Sequence, residues 1–129
     1  MATIRLLVDT DVLIDYLNAG DHSALLENSR NRIYYSIVTR KELLAKQGLR
    51  ADEREAIDDT LRRFRVIPLN RAITDRYSLL RQQHRRLEKE DALIAATALV
   101  QRLPLMTGNW RHFRDIRGLV LYGGQRRLT

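Results

Sequence analysis

The run Asp91-Ala92-Leu93-Ile94-Ala95-Ala96-Thr97-Ala98-Leu99-Val100 is the least polar long stretch of the chain, and it opens on a carboxylate. Good helix formers fill it without Gly or Pro, so it predicts an α-helix. Ala at 92, 95, 96 and 98 lets other backbone approach almost every side. A helix apolar nearly all round is a buried helix. Asp91 then stands in the first turn, where the helix dipole favours negative charge. A carboxylate entering a core costs free energy unless a cation or a hydrogen-bond donor meets it.

Working outward, short apolar runs alternate with helical patterns. Residues 4–8 read as a buried strand ending on Asp9. A helix follows, with Asp11 as its N-cap and Gly20 as its stop. A second short helix fits residues 22–30, and Ile33–Ser36 is β-rich. Thr39 followed by Glu42 reads as a capping box for a helix that Gly48 ends. Residues 52–64 carry Ala56, Ile57, Leu61 and Phe64 at helical spacing. Val66–Leu69 is a brief strand with Pro68 suited to an edge, and Ala72–Leu87 a further helix. After the Asp91 helix come a strand at Leu103–Thr107, a short helix at 110–114, a last strand at Leu119–Tyr122 and a tail over 123–129. This alternation predicts one α/β domain over residues 1–129 with a mainly parallel central sheet.

Composition narrows the function. The chain has 129 residues, no Cys, and no apolar run near the ~20 needed to cross a membrane. A disulfide framework and a thiolate metal site are excluded. No membrane association is expected, and a cytoplasmic location follows. Lys plus Arg number 23 against 16 acids, for a net charge of +7, and 20 of the 23 are Arg. Arg grips phosphate bidentately and stacks on bases, so the bias favours a polyanionic partner such as nucleic acid.

In parallel α/β sheets, ligands bind beyond the carboxyl ends of the strands, which singles out certain acids. Asp9 directly follows the first strand, Glu42 lies one helical turn past the second, and Asn109 follows the fourth. Asp91 begins the helix that feeds that fourth strand. Singly, each has a structural explanation as a cap, a turn residue or a dipole partner. Together they leave something over. Asp9 and Asp91 adjoin strongly apolar segments, with no Lys or Arg nearby on the same face. Convergent carboxylates repel unless protonated or bound to metal. Mg²⁺ and Mn²⁺ prefer oxygen ligands and are often completed by phosphate. An acidic pocket on a basic protein suits cleavage of nucleic acid. Asp11 and Asp115 are the nearest spare acids. His22, His84 and His112 show no pairing, and Trp110 and Phe113 read as core.

Four ordered segments, Val8-Asp-Thr-Asp-Val-Leu-Ile-Asp15, Ser36-Ile-Val-Thr-Arg-Lys-Glu-Leu43, Asp91–Ala98 and Thr107-Gly-Asn-Trp-Arg-His-Phe113, resemble those of the PIN-domain nucleases. The resemblance is strongest to the VapC-type toxins of toxin–antitoxin pairs. It implies a three-layer α/β/α sandwich and a Mg²⁺- or Mn²⁺-dependent ribonuclease. By position, Asp9, Glu42 and Asp91 match the family's first three acids, and all three are expected at the metal. Asn109 stands where many members carry a fourth acid and is a further candidate metal ligand; it offers one amide oxygen but no charge, which puts a second metal in doubt. Thr10, Ser36 and Thr107 fall where such proteins orient the acids. Asp11 is a further neighbour, and Arg111, Arg114 and Arg117 are candidates to touch RNA. The resemblance also implies a homodimer and a cognate antitoxin that covers the acidic cleft.

Two other classes compete. A receiver-type phosphoacceptor has similar length and acids at strand ends, but it pairs them with a late Lys, and no Lys follows Lys89. A non-catalytic RNA-binding module would keep the basic surface without needing Asp9, Glu42 and Asp91 intact.

Overall fold

The computed structural model describes residues 3–123. In chain order the elements are β1 (Arg5–Val8), α1 (Thr10–Ala19), α2 (Ser23–Leu26), β2 (Arg32–Ser36), α3 (Ile37–Leu44) and α4 (Ala51–Arg62). They continue with β3 (Arg65–Ile67), α5 (Arg71–Gln83), α6 (Lys89–Gln101), β4 (Leu105–Met106) and α7 (Trp110–Phe113). The sheet runs β3-β2-β1-β4, and every pairing is parallel.

Leu6, Leu7 and Val8 are all fully buried, as expected of a strand covered on both faces. Leu7 joins the apolar cluster of α5 and α6, whereas Leu6 and Val8 join that of α1, α3 and α4. Helices therefore lie on both sides of the sheet, in an α/β/α sandwich with β1 at its middle. Within α6, Ala92, Ala95, Ala96, Thr97 and Ala98 are buried. Their small side chains let α6 pack closely in the apolar cluster it shares with Leu7 of β1 and with Ile73 and Leu80 of α5.

Several boundaries differ from those the residue patterns predict. Asp9, not Asp11, is the N-cap of α1, because its Oδ1 accepts from the Thr10 N–H at 2.7 Å. Gly20 does close α1, in the left-handed conformation. The helix expected over 22–30 shrinks to one turn, since Asn28 and Asn31 bind local backbone instead. Helix α3 starts at Ile37, capped by Ser36 Oγ on the Val38 N–H, so Thr39 and Glu42 form no capping box. It ends at Leu44, ahead of Gly48. His84 leaves helical geometry (φ −129°, ψ 81°), so α5 stops there, and Leu87 reaches the core from a loop. The strand expected over 103–107 keeps only two residues, and that over 119–122 is one bridge, Leu121 to Leu105. Residues 124–129, most of the expected tail, lie outside the described residues.

Candidate active site

Asp9 sits at the carboxyl end of the central strand and is only 4% exposed. Its backbone N–H donates to Met106 O at 2.9 Å, which ties it to β4. Its Oδ1 caps α1, and its Oδ2 accepts from Thr107 Oγ1 at 2.8 Å. Both oxygens are thus held in place, one by the start of α1 and the other by the turn after β4.

Glu42 arrives from α3. Thr10 Oγ1 donates to Glu42 Oε1 at 2.7 Å and lies 2.9 Å from Thr39 Oγ1. A hydroxyl has one proton, so Thr39 donates to Thr10 and Thr10 to Glu42. Thr39 and Glu42 are three apart on one helix face, which puts both toward α1. Asp11, one residue into α1, accepts from the Gly108 N–H at 2.9 Å through Oδ2, while its buried Oδ1 has no partner. An added Cβ at Gly108 would stand 2.6 Å from that Oδ2, so a side chain there would have to displace the Asp11 carboxylate. Asp91, in the first turn of α6, is half-buried, and its Oδ2 lies 3.0 Å from His112 Nδ1.

Electrostatics link these groups. Burial raises the pKa of Asp9 to about 7, the charge of Asp11 adds to it, the Thr107 and Thr10 hydrogen bonds oppose it, and Asp91 adds further. Burial is likewise the main cause of the raised pKa of Asp11, of Glu42 and of Asp91. Glu42 also feels Glu90 and Asp91, and Asp91 feels Glu88 and Asp11. The four acids share one field, and none of the leading influences on them comes from Lys or Arg. Only His112 offsets Asp91.

A hard divalent cation fits this donor set. The ligands are carboxylate oxygens, His112 beside Asp91 is the one cationic group among the leading influences on them, and Asp11 Oδ1 is a buried acceptor with no donor. Among the described residues, no three His, Asp or Glu side chains form a ready-made ligand cage.

Other expected participants divide. Thr10 and Thr107 bind acids directly, while Ser36 caps the helix that carries Glu42 and touches no acid. Asn109 makes no side-chain hydrogen bond; its N–H donates to Thr107 Oγ1. Arg111, with Asp115, lines a cleft of about 440 Å³ beside Asp91. Arg114 stacks over Trp110 at 5.4 Å, and Arg117 is exposed. Phe113 is core as expected, but Trp110 is half-buried beneath Arg111 and Arg114. The expectation that no His is paired is corrected by the His112–Asp91 contact. That contact spans 21 residues and leaves no local trace in the sequence. Thr39 was legible only as a cap, and Gly108 only as part of the Thr107–Phe113 segment.

The PIN domain family model matches residues 6–119, and the chain belongs to that family. Ribonuclease VapC10 of Mycobacterium tuberculosis is 36% identical over 115 residues, covering 84% of this chain and 85% of that protein. A toxin–antitoxin complex from Klebsiella pneumoniae contains a chain with TM-score 0.72 and 31% identity, over 89% of this chain and 95% of that one. VapBC2 from Rickettsia felis, solved bound to a DNA fragment from its promoter, gives TM-score 0.79 at 24% identity. That match covers 92% of this chain and 97% of the other, and bears on the fold alone. Membership replaces the receiver alternative.

Proposed function

We propose that this chain is a Mg²⁺- or Mn²⁺-dependent endoribonuclease, the toxin of a toxin–antitoxin pair. One observation carries the reading: the buried Asp9 and the more accessible Asp11, Glu42 and Asp91 share one field that no Lys or Arg leads in offsetting. Asp9 and Asp91 would hold the metal, with Glu42 binding it directly or through water, and Asp11 Oδ1 stands as a further donor. When bound, such an ion neutralises phosphoryl charge and lowers the pKa of a water. Thr107 and Thr10 keep Asp9 and Glu42 in single orientations. Glu42 orients the attacking water, and Arg111 meets the RNA backbone at the cleft beside Asp91. Asn109 adds no charge, which favours one metal over two.

The relatives named ribonucleases and the toxin–antitoxin structure support the substrate and the partner. A mainly apolar groove of about 430 Å³, lined by Ile14, Leu17, Leu43 and Ile57, runs up to Glu42 and fits an antitoxin segment that covers the site. The reading places a homodimer acting on cytoplasmic RNA; among the described residues no helix is long and apolar enough to cross a membrane. The test is cleavage of structured RNA by antitoxin-free protein. Cleavage should need Mg²⁺ or Mn²⁺, stop with EDTA and vanish in Asp9→Asn. Full activity in EDTA overturns the reading.

A further inference from the structure

The strands carry a second set of charges that the acidic site does not use. Arg5 opens β1, Arg32 opens β2, and the two are register partners. Two residues further along, Tyr34 pairs with Arg65, the first residue of β3. Strand alternation places Arg5 with Leu7, Arg32 with Tyr34 and Arg65 with Ile67, all on the sheet face that α5 and α6 cover. All three arginines are exposed below that cover. Neighbouring strands lie ~4.8 Å apart, so the three side chains arise within about 10 Å across the sheet. Arg5 and Asp9 are four residues apart on β1, about 13 Å, so Arg5 and its partner Arg32 stand toward the opposite end of the strands, with Arg65 two residues nearer the acids on the edge strand.

Like charges directly opposite each other on a sheet are destabilising. Here nothing in the fold offsets them: among the described residues, none of the three arginines forms an ion pair with a carboxylate. Tyr34 sits between them. Arg5 Nη2 donates to its hydroxyl at 3.5 Å, with the guanidinium carbon 5.8 Å from the ring centroid. That hydrogen bond, opposed by slight burial and aided by the charges of Arg5, Arg65 and Arg32, lowers the pKa of the Tyr34 hydroxyl. Because the phenol oxygen accepts from Arg5, its proton is free to be given outward.

We propose that Arg5, Arg32, Arg65 and Tyr34 form a second phosphate-binding site, which holds the backbone of a nucleic-acid strand at the end of the sheet away from the acidic cluster. Guanidinium forks match phosphate oxygens bidentately, and the phenol adds a neutral donor. A nucleic-acid strand repeats its charge at every nucleotide, so neighbouring arginines meet consecutive phosphates whatever the base sequence. An isologous contact with a second copy would set arginine against arginine, which argues against self-association here. The site would bind a substrate long enough to reach beyond the acidic cleft, or a separate strand.

The test is binding of a labelled oligouridylate to the full chain in EDTA, read by fluorescence anisotropy across a salt series. Arg32→Ala with Arg65→Ala should weaken binding about tenfold and reduce the salt slope by about 1.4, two single-strand phosphate contacts. Tyr34→Phe should weaken it severalfold with the slope unchanged. Arg54→Ala with Arg76→Ala removes the same charge from exposed α4 and α5 positions and should change little. The Arg32/Arg65 variant should melt no earlier than wild type, and Arg65→Ala alone, on the edge strand, serves should the double variant misfold. Equal losses in both pairs, or none in the Arg32/Arg65 pair, overturn the proposal. So does displacement of the oligouridylate by polyglutamate as readily as by unlabelled RNA, which would assign the site to an acidic protein. Cleavage of a minimal substrate should be unaffected, so failure of the nuclease reading leaves this result intact.

Discussion

Thr107 Oγ1 donates to Asp9 Oδ2 across 2.8 Å, so the turn that ends β4 holds the carboxylate that ends β1. The bond favours the ionised carboxylate, yet burial outweighs it, and the Asp9 carboxyl keeps its proton to about pH 7. The sign for stability follows. Between the ordinary value of 3.8 and about 7, the folded chain binds more protons at Asp9 than the unfolded chain does. Stability of the metal-free protein should therefore fall as pH rises through that window and level off above it. At ~1.4 kcal/mol per pKa unit the fall is of order 4 kcal/mol, shared with Asp11. Asp9→Asn should flatten the profile in urea titrations run in EDTA at a series of pH values. Parallel profiles for variant and wild type would refute this.

Asp91 poses the same problem half-exposed. Replacing it by Asn keeps the shape and a contact for His112 while removing the charge. We expect Asp91→Asn to be inactive but at least as heat-stable as wild type without metal. Mn²⁺ should then raise the melting temperature of wild type more than that of the variant. Were Asp91 only a helix-dipole partner, neutralising it would cost about 0.3–1 kcal/mol whether or not metal is present. Paired melting curves separate the two cases.

Gly108 faces the Asp11 carboxylate, which a side chain at 108 would have to displace. Its φ is not in the left-handed region, so the constraint is contact rather than backbone conformation. Gly108→Ala should cost about 1–3 kcal/mol by overpacking and push Asp11 off the Gly108 N–H, with loss of activity. Wild-type stability in denaturant titrations would show that the turn yields freely.

His112 holds Asp91 from outside the acid set. If it orients that carboxylate for a metal, His112→Ala should weaken Mn²⁺ binding about 10–100-fold, as losses of groups that orient metal ligands do. Asn109→Ala should change affinity far less, since its side chain binds nothing. Calorimetric titration with Mn²⁺ decides, and equal effects would restore Asn109 as a ligand.

Periodicity and composition were enough to read the α/β order, the burial of α6 and the places of Asp9, Glu42 and Asp91, because strand ends and apolar runs are local features. Cap choice was not local. Asp9 outcompeted Asp11 because Gly108 had taken Asp11, and Ser36 outcompeted Thr39 because Thr10 had taken Thr39. The His112–Asp91 contact needed α6 and α7 already packed. Leu87 looked helical because it is apolar at the right spacing, although it reaches the core after α5 has ended.

The bonds that shape the acidic cluster join distant parts of the chain: Thr10 to Glu42 spans 32 residues, Asp11 to Gly108 spans 97, and Asp9 to Thr107 spans 98. During synthesis at about 5–20 residues per second, Thr107 is made roughly 5–20 seconds after Asp9. Until then β1 lacks its β4 neighbour, and neither Asp9 nor Asp11 has its donor from that turn. A growing chain thus carries all the early acids without the arrangement that makes them a site. Competence arrives late, when the last strand closes against the first.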